Sequence, residues 1–241
     1  MEIYAVGIGP GKVEYMTLNA MKIIKDSEVI VGFNTYIKLI EDLISDKEII
    51  ATGMTKEVVR CNAAIEQALK GKKVCVISSG DSGIYGMASL LYELAKPYEN
   101  IEIKVEVGVT ASTATAAILG SPITNDYATI SLSDCLTPWD IIMKRLELLA
   151  QTDMAICIYN PQSRNRPDYL KRAVKALLKY RSGDIWCGYV KNALRDNTSS
   201  SVCRLDDLLE IDVDMFTTVI IGNSQTVLID NKLVTPRGYK L

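Results

Sequence analysis

The sequence predicts an α/β protein of two domains, the first with a mainly parallel sheet and the second with a mixed sheet. The chain has 241 residues, 48% of them hydrophobic, which is enough for more than one core. Short apolar runs rich in β-branched residues alternate with segments of helical periodicity, which is typical of parallel βαβ units. Loops of small residues follow several of these runs, at the sheet edge where α/β proteins bind ligands.

The first domain is predicted to span residues 1–120. Its strands are expected at 3–8, 29–32, 49–51, 74–77 and 103–107, and its helices at 18–26, 35–43, 58–69, 87–94 and 112–119. Thr17 is a candidate N-cap for the first helix, and Gly71 is a candidate C-cap for the third. The Gly, Ser, Pro, Asn and Asp residues of 120–126 indicate the domain boundary.

The second domain is predicted to span residues 121–241. Its strands are expected at 129–132, 154–159, 186–190, around Val202 and at 217–221, and its helices at 139–149 and 167–180. Residues 226–229 and 233–235 flank Asp230-Asn231-Lys232, which predicts a hairpin. A hairpin requires antiparallel pairing, so the second sheet is expected to be mixed.

Composition excludes several functional classes. The chain contains no histidine, which excludes histidine bases, histidine metal ligands and Ser-His-Asp chemistry. Its six cysteines form no C-x-x-C motif, so no protein-bound metal is expected. We interpret them as reduced cysteines of a cytoplasmic protein, with Cys75 and Cys157 as small buried hydrophobic residues.

Charge and hydropathy limit the partners. The formal net charge of -2 gives no overall reason to expect nucleic acid or an anionic membrane surface as a partner. The longest uncharged run, residues 107–125, contains too many polar and small residues for a membrane span. The first residues enter a predicted strand at once, without the pattern of an export signal. We therefore expect a soluble protein.

Four loops after predicted strands have compositions that suit either turns or ligand contact. They are residues 7–11, 78–86, 108–112 and 159–165. Their shared position after strands favours ligand contact. The first loop is neither a dinucleotide-binding fingerprint nor a P-loop, because Lys12 stands where the fingerprint needs glycine and the GK[ST] sequence is absent.

Local sequence leaves the roles of several polar residues open. Asp81 could accept hydrogen bonds from a ligand or N-cap a helix beginning near Ile84, and Tyr85 is equally ambiguous. Residues 133–140 form a polar loop that could contact a ligand, but its composition favours capping, with Thr137 as the N-cap and Pro138 as the first residue of the next helix. The basic corner at 164–166 could pair with substrate carboxylates or form a solvated helix entry.

Taken together, these motifs resemble the tetrapyrrole methylases, a family of S-adenosylmethionine-dependent enzymes, over essentially the whole chain. The matching segments are Gly7-Ile8-Gly9-Pro10-Gly11, Ser79-Gly80-Asp81 through Tyr85-Gly86, Gly108-Val109-Thr110-Ala111, Gly120-Ser121-Pro122-Ile123 and Tyr159-Asn160-Pro161. Residues 78–88, 131–134 and 159–163 are most similar to the branch of the family that methylates C17 of precorrin-3B or cobalt-factor III.

The resemblance implies two α/β domains with S-adenosylmethionine in the cleft between them, and a homodimer. The positions that match the family's donor-binding residues are Pro10, Ser79, Gly80, Asp81, Ile84, Thr110, Ala111, Asn160 and Ala193. Three residues depart from the family pattern. Lys12 replaces a common acid, Ser82 replaces a common proline, and Val107 replaces the proline that usually precedes the third loop.

The implied reaction is methyl transfer to C17 with ring contraction, in cobalamin biosynthesis. A sulfonium methyl is already activated, so the protein chiefly aligns the reactants, an effect of roughly 7–11 kcal/mol. Candidates for proton transfer are Asp81, Tyr85, Ser133 and Asp134, and candidates for binding the anionic tetrapyrrole are Lys12, Arg164 and Arg166. The alternatives are methylation at another ring position or of RNA or protein, and a non-catalytic nucleotide or tetrapyrrole carrier.

Overall fold

The computed structural model describes residues 1–240 and divides the chain into two compact units, Met1–Ala111 and Ser112–Leu241. The division falls earlier than the boundary predicted at residue 120, so nearly all of the helix Ala111–Leu119 belongs to the second unit. Ala116 and Leu119 explain this placement, because they pack with Cys157 and Val190 of the second unit in one apolar cluster.

The first unit is a five-stranded parallel sheet with helices on both faces. Its strands are β1 (Glu2–Gly7), β2 (Val29–Phe33), β3 (Glu48–Thr52), β4 (Val74–Ser78) and β5 (Glu102–Glu106), and its helices are α1 (Leu18–Asp26), α2 (Asn34–Lys38), α3 (Glu57–Leu69) and α4 (Ala88–Ala95). The strand order is β3-β2-β4-β1-β5, with every neighbouring pair parallel. The prediction of a mainly parallel first sheet is confirmed.

Both faces of this sheet are buried, as its apolar strand sequences indicate. Val29 and Val31 pack with residues of α3 and α4. Ile30, on the opposite face, packs in a second cluster with Ile24 of α1 and Ile37 of α2. Side chains alternate between the two faces along a strand. A strand that is buried on both faces therefore has a continuous run of apolar residues in its sequence.

Local signals predicted most helix ends of the first unit. The Thr17 hydroxyl accepts a hydrogen bond from the Ala20 N–H at 2.9 Å, so the predicted N-cap is confirmed. Gly71 ends α3 with a φ of +86°, as a C-cap glycine does. The single helix predicted over 35–43 is wrong, because the chain leaves helical geometry at Ile40 and continues as a 3₁₀ turn, Glu41–Leu43. The break lets Ile40 and Ile44 both enter the core.

The second unit contains a mixed five-stranded sheet and a small three-stranded sheet. Its helices are α5 (Ala111–Leu119), α6 (Trp139–Ala150) and α7 (Tyr169–Leu177), and its strands are β6 (Gly120–Ser121), β7 (Tyr127–Ser131), β8 (Ala155–Tyr159), β9 (Trp186–Lys191), β10 (Ser199–Arg204), β11 (Thr217–Ile221), β12 (Val227–Ile229) and β13 (Lys232–Val234). The large sheet has the order β10-β9-β11-β8-β7, with β7 and β8 parallel and the other pairs antiparallel. The mixed second sheet is confirmed.

The predicted hairpin forms, but it lies outside the large sheet. β12 and β13 pair antiparallel, and β13 pairs parallel with β6 to complete the small sheet. On the large sheet, Gly188 admits close packing, because a Cβ there would lie 2.8 Å from the Leu119 side chain and 3.1 Å from that of Leu233. The opposite face of the large sheet packs against α6 and α7.

Two of the cysteines lie in the buried interiors of strands. Cys75 and Cys157 are buried, as predicted, and burial raises the pKa of both thiols, that of Cys157 to about 12. Within residues 1–240, no helix combines the length and apolar character that crossing a membrane requires.

Candidate functional site

Three loops of the first unit meet at the carboxyl edge of its sheet. They follow β4, β1 and β5, which are neighbouring strands. The Gly9 N–H donates to the Gly80 carbonyl at 3.0 Å, and the Gly80 N–H donates to the Gly9 carbonyl at 2.7 Å. The loops after β1 and β4 are therefore joined directly through their backbones.

Glycines make this close approach possible. A Cβ on Gly108 would lie 2.1 Å from the Gly80 carbonyl oxygen, and a Cβ on Gly7 would lie 2.6 Å from the same atom. Gly80 itself has a φ of +72°, a conformation that favours glycine. The three loops thus form a tightly packed edge built from main-chain atoms, of the kind that lets a backbone approach a ligand closely.

Asp81 connects two of these loops. Its Oδ1 accepts a hydrogen bond from the Gly83 N–H at 2.8 Å, and its Oδ2 accepts one from the Gly108 N–H at 2.9 Å. The N-cap interpretation of Asp81 is wrong, because α4 begins only at Ala88 and its N-cap residue is Met87. The intervening residues form bends instead of the first helical turn.

The remaining candidate residues of the first unit lie around the same edge. Pro10 and Thr110 are buried, Ser79 and Lys12 are half-buried, and Ile84 and Tyr85 are exposed. Tyr85 has a φ of +54°, which is strained for a non-glycine residue and is often found at functional sites.

Ser82 makes a side-chain contact with the neighbouring strand. Its side chain is fully buried, and its hydroxyl donates to the Ala5 carbonyl of β1 at 2.9 Å. The hydrogen bond ties the loop after β4 to the neighbouring strand.

Two loops of the second unit are joined at the carboxyl ends of β7 and β8. The Leu132 N–H donates to the Tyr159 carbonyl at 3.0 Å. The Asn160 side-chain amide donates to the Ser131 hydroxyl at 2.9 Å, and the same hydroxyl accepts the Ser133 N–H at 3.2 Å. Asn160 adopts a φ of +49°, which asparagine tolerates better than most residues.

Arg166 reinforces this junction with its whole guanidinium group. Its Nε lies 2.6 Å from Asp134 Oδ1, Nη1 lies 3.4 Å from the Ser133 hydroxyl, and Nη2 lies 2.7 Å from Cys135 Sγ. The guanidinium thus contacts three consecutive residues of the loop after β7. Arg164 is exposed and makes no hydrogen bond or ion pair within residues 1–240.

Asp134 has a second partner on α7. The Tyr169 hydroxyl donates to Asp134 Oδ2 at 2.6 Å, and this hydrogen bond, assisted by the nearby Arg166, lowers the pKa of Asp134. The Tyr169 ring packs on Trp139 at a centroid distance of 4.0 Å. The predicted N-cap role of Thr137 is wrong, since the N-cap residue of α6 is Pro138.

Ala193 follows β9 at the same edge of the second sheet. β9 and β8 both pair antiparallel with β11, so they run in the same direction and their carboxyl ends share an edge. The turn holding Ala193 contains two residues of positive φ, Asn192 at +50° and Leu194 at +57°. Asn160, Ala193 and the loop after β7 therefore belong to one side of the second unit.

Two hydroxyl groups in the N-terminal half of α5 are buried without a hydrogen-bond partner in the described chain. They belong to Ser112 and Thr115. The Ser112 N–H donates to the Tyr159 hydroxyl at 2.8 Å. Buried polar groups are normally paired, so these two oxygens indicate a place for a polar ligand or water beside α5. Ser112 immediately follows Thr110 and Ala111, two predicted donor-binding residues.

A pocket of about 660 Å³ lies at the opposite edge of the second sheet and contains none of the predicted site residues. Arg181 lines it but donates to four carbonyl oxygens, including those of Ala150 at 3.0 Å and Met154 at 2.7 Å. Its guanidinium supports the surrounding loops.

The sequence did not point to the contacts that organise the second unit. Arg166, Ser133 and Asp134 were predicted site residues, but their mutual hydrogen bonds and the Tyr169 contact were not expected. Ser112 lies in the candidate loop 108–112 but was not named as a site residue, and Thr115 was missed. Both hydroxyls lie in a helix of ordinary composition, so no helical pattern distinguishes them from other small residues. Among residues 1–240, no three His, Cys, Asp or Glu side chains group as metal ligands would, and the expectation of no bound metal stays a prediction.

The fold and its loops define a class: α/β proteins of two units whose candidate site is built largely from glycine-rich strand ends. Comparison with known families is more specific. The sequence model of the Tetrapyrrole (Corrin/Porphyrin) Methylases matches residues 2–209, and the chain belongs to this family. The predicted family is confirmed.

Individual relatives agree with this assignment. The "Cobalt-factor III methyltransferase" of Priestia megaterium is 44% identical over 99% of this chain, which spans only 45% of that relative. The "Probable cobalt-factor III C(17)-methyltransferase" of Salmonella typhimurium is 44% identical over 98% of both chains. The crystal structure of the methyltransferase CobJ superimposes with a TM-score of 0.90 at 30% identity, covering 97% of this chain and 99% of that one.

Proposed function

We propose that this chain is an S-adenosylmethionine-dependent methyltransferase acting on C17 of a precorrin-3-level tetrapyrrole, with ring contraction, in cobalamin biosynthesis. The observation that carries this proposal is the 44% identity to the Salmonella relative over 98% of both chains, because it leaves no large segment of either protein unmatched. The substrate in the proposal is precorrin-3B or cobalt-factor III.

The glycine edge of the first unit suits a methyl donor with many polar groups. We assign donor binding there to Pro10, Ser79, Gly80, Asp81, Ile84, Thr110 and Ala111, and in the second unit to Asn160 and Ala193. The close backbone packing at Gly7, Gly80 and Gly108 and the partnerless hydroxyls of Ser112 and Thr115 support this assignment. When bound, S-adenosylmethionine supplies a methyl group already activated on sulfonium, so the residues of the chain bind and orient the reactants.

Two of the candidate proton-transfer residues are better explained as positioning residues. Asp81 accepts hydrogen bonds from two loop amides, and Asp134 is held by Arg166 and Tyr169. Stabilisation of the charged form keeps the carboxylate of Asp134 ionised. The proposal therefore assigns proton transfer during ring contraction to Tyr85 or Ser133, whose hydroxyls can donate and accept.

The substrate carries acetate and propionate groups, so cations at the rim of its site favour binding. Arg164 is exposed and suits this role, and Lys12 is a second candidate. Arg166 was predicted to share the role, but its nitrogens engage Asp134, Ser133 and Cys135. We therefore propose Arg164 and Lys12 as the carboxylate partners.

The proposal is tested by an anaerobic assay with S-adenosylmethionine and either metal-free precorrin-3B or cobalt-factor III. Mass spectrometry detects the gain of one methyl group, and NMR of the product locates it. Methylation at C17 supports the proposal. Methylation at another ring carbon supports the alternative family activity, and binding without a mass change supports a carrier.

Two further predictions from the family resemblance are part of the same proposal. We propose a cytoplasmic homodimer, and light scattering coupled to size-exclusion chromatography checks the dimer at micromolar concentrations. A mass near 26.6 kDa, that of one chain, would contradict it.

A further inference from the structure

The loop between β7 and α6 presents an apolar side chain to solvent. Leu136 is 97% exposed, more than any other large hydrophobic side chain described in residues 1–240. A single exposed leucine on a mobile loop is ordinary. The surroundings of Leu136 are different, because the residues that precede it are held at several points.

The contacts that hold this loop come from two other segments of the second unit. Arg166 engages Ser133, Asp134 and Cys135, the three residues immediately before Leu136. Tyr169 holds the second oxygen of Asp134. These contacts join the charged group of Asp134 to two donors, and hydrogen bonds to charged groups are stronger than neutral ones. The loop is therefore ordered up to the residue that carries the exposed leucine.

The same loop adjoins a proposed donor-binding residue. Asn160 donates to the Ser131 hydroxyl, and that hydroxyl also accepts the Ser133 N–H. The chain from Ser131 to Cys135 is thus fixed against the loop containing Asn160. Leu136 lies at the end of this fixed segment. It directly follows Cys135, which Arg166 contacts, and the exposed Arg164 is two residues before Arg166 in the chain.

A tetrapyrrole has a broad apolar ring face and a rim of carboxylates, so a complementary surface needs apolar contact for the face and cations for the rim. Leu136 and Arg164 supply one of each. We infer that Leu136 is a specificity-determining residue that packs on the face of the substrate ring, and that Arg166 is a positioning residue that holds Leu136 in place. This inference rests on the proposed function, since it names the substrate surface of that same site.

Substitution of Leu136 tests the apolar contact. Leu136→Ala is expected to raise the KM for cobalt-factor III about tenfold, corresponding to about 1.4 kcal/mol. This is just below the roughly 1.5–3 kcal/mol for fully burying a leucine side chain, as expected for a contact that covers only part of it. The dissociation constant for S-adenosylmethionine should stay unchanged. Leu148→Ala on α6, at a side chain 56% exposed, is the matched control and should leave both constants unchanged. An unchanged KM in Leu136→Ala would overturn the contact.

A double-mutant cycle tests how Arg166 acts. If Arg166 works through Leu136, Arg166→Ala should raise KM in the wild-type background and change it little in Leu136→Ala. Full additivity of the two substitutions would overturn the positioning role. Arg166→Lys distinguishes positioning of the loop from direct pairing with a substrate carboxylate. Lysine keeps the positive charge but cannot contact Ser133, Asp134 and Cys135 at the same time. Rescue of KM by Lys would indicate direct pairing with a substrate carboxylate and contradict the inference.

The same variants distinguish failure of this inference from failure of the proposed function. If the wild-type protein binds cobalt-factor III without methylating it, the proposed function fails, but absorbance titration of the variants still tests the contact through dissociation constants. A tenfold weaker complex in Leu136→Ala then supports the inference, and equal affinity overturns it. No binding of tetrapyrrole by the wild-type protein would overturn both proposals.

Discussion

The two units stabilise their candidate site loops by different means. In the first unit, the loops after β1, β4 and β5 meet through main-chain hydrogen bonds between Gly9 and Gly80 and through contacts that only glycine permits. In the second unit, the loops after β7 and β8 are joined mainly by side chains, with Asp134 held between Arg166 and Tyr169. The site loops of the first unit can pack closely because glycines have no side chains, whereas those of the second unit are held by hydrogen bonds between side chains.

This difference has consequences for how each site responds to change. An added methyl group in the first unit has to displace backbone atoms, which are difficult to move. Removing a side chain of the second unit eliminates a hydrogen bond but does not force the backbone to move. The second network also contains an ionisable group, so its strength depends on pH. Four substitutions test these expectations, in order of decreasing expected effect.

Gly108→Ala should have the largest effect. The new Cβ would lie 2.1 Å from the Gly80 oxygen and 2.7 Å from the Gly7 carbonyl, so the loops would have to separate. We expect a loss of about 3 kcal/mol in the free energy of unfolding, at the upper end of ordinary overpacking, together with weaker donor binding. Urea unfolding measures the first and calorimetric titration with S-adenosylmethionine the second.

The control for this substitution is Gly53→Ala. A Cβ there meets no atom within 4 Å, so its unfolding free energy should differ from wild type by no more than about 0.5 kcal/mol. Equal stability of the two alanine variants would contradict the claim that the first unit depends on backbone packing.

Asp81→Ala should have the second largest effect, because Asp81 is the side chain that connects two backbone loops of the first unit. The substitution leaves the N–H groups of Gly83 and Gly108 without their partner. We expect a loss of about 2 kcal/mol in the free energy of unfolding and about tenfold weaker donor binding. Asp81→Asn keeps one acceptor oxygen and should lose less. If Asp81→Ala abolishes turnover but leaves donor affinity unchanged, Asp81 is a catalytic residue and the positioning role is wrong.

Tyr169→Phe tests the side-chain network of the second unit. The variant keeps the aromatic packing on Trp139 but removes the hydrogen bond to Asp134, which should cost about 1.5 kcal/mol at pH 7. This hydrogen bond lowers the pKa of Asp134, so its stabilising effect is fully present above the unfolded-state pKa of about 3.9 and is lost as the pH falls through the lower folded-state value. The stability difference between wild type and variant should therefore shrink below about pH 4.

Urea unfolding at pH 7 and at pH 3 measures this change. Tyr180→Phe is the control, because Tyr180 is half-exposed and its hydroxyl has no hydrogen-bond partner within residues 1–240. A difference between wild type and Tyr169→Phe that is constant with pH would show that the hydroxyl acts through packing alone.

The sequence predicted the parts of this structure that depend on local chemistry. The strand Val74–Ser78 follows from its β-branched apolar run, and α1 follows from the Thr17 cap and helical periodicity. The glycine loops were identified as candidates because glycine and proline are rare in the interiors of strands and helices. In each case the neighbours that determine the structure are close in sequence.

The contacts that were not predicted join residues distant in sequence. The carboxylate of Asp81 could be interpreted locally as a helix cap, but its second partner, Gly108, lies 27 residues further along the chain. Arg166 contacts Asp134 because β7 and β8 are parallel neighbours, so the loops that follow them lie side by side. Periodicity and composition carry no signal for such pairs, since either arginine of the corner at 164–166 fits the same local pattern.

Arg164→Ala should have the smallest of the four effects. It tests whether Arg164 binds substrate while Arg166 holds the loop after β7. Arg164 is exposed and outside the network, so Arg164→Ala should leave the unfolding free energy within about 0.5 kcal/mol of wild type. It should raise the KM for the tetrapyrrole about fivefold, a loss of about 1 kcal/mol, because one carboxylate partner is missing. The KM effect should weaken as salt concentration rises, since exposed charges are screened. A KM that stays at the wild-type value would remove Arg164 from the substrate site and leave Lys12 as its proposed cation.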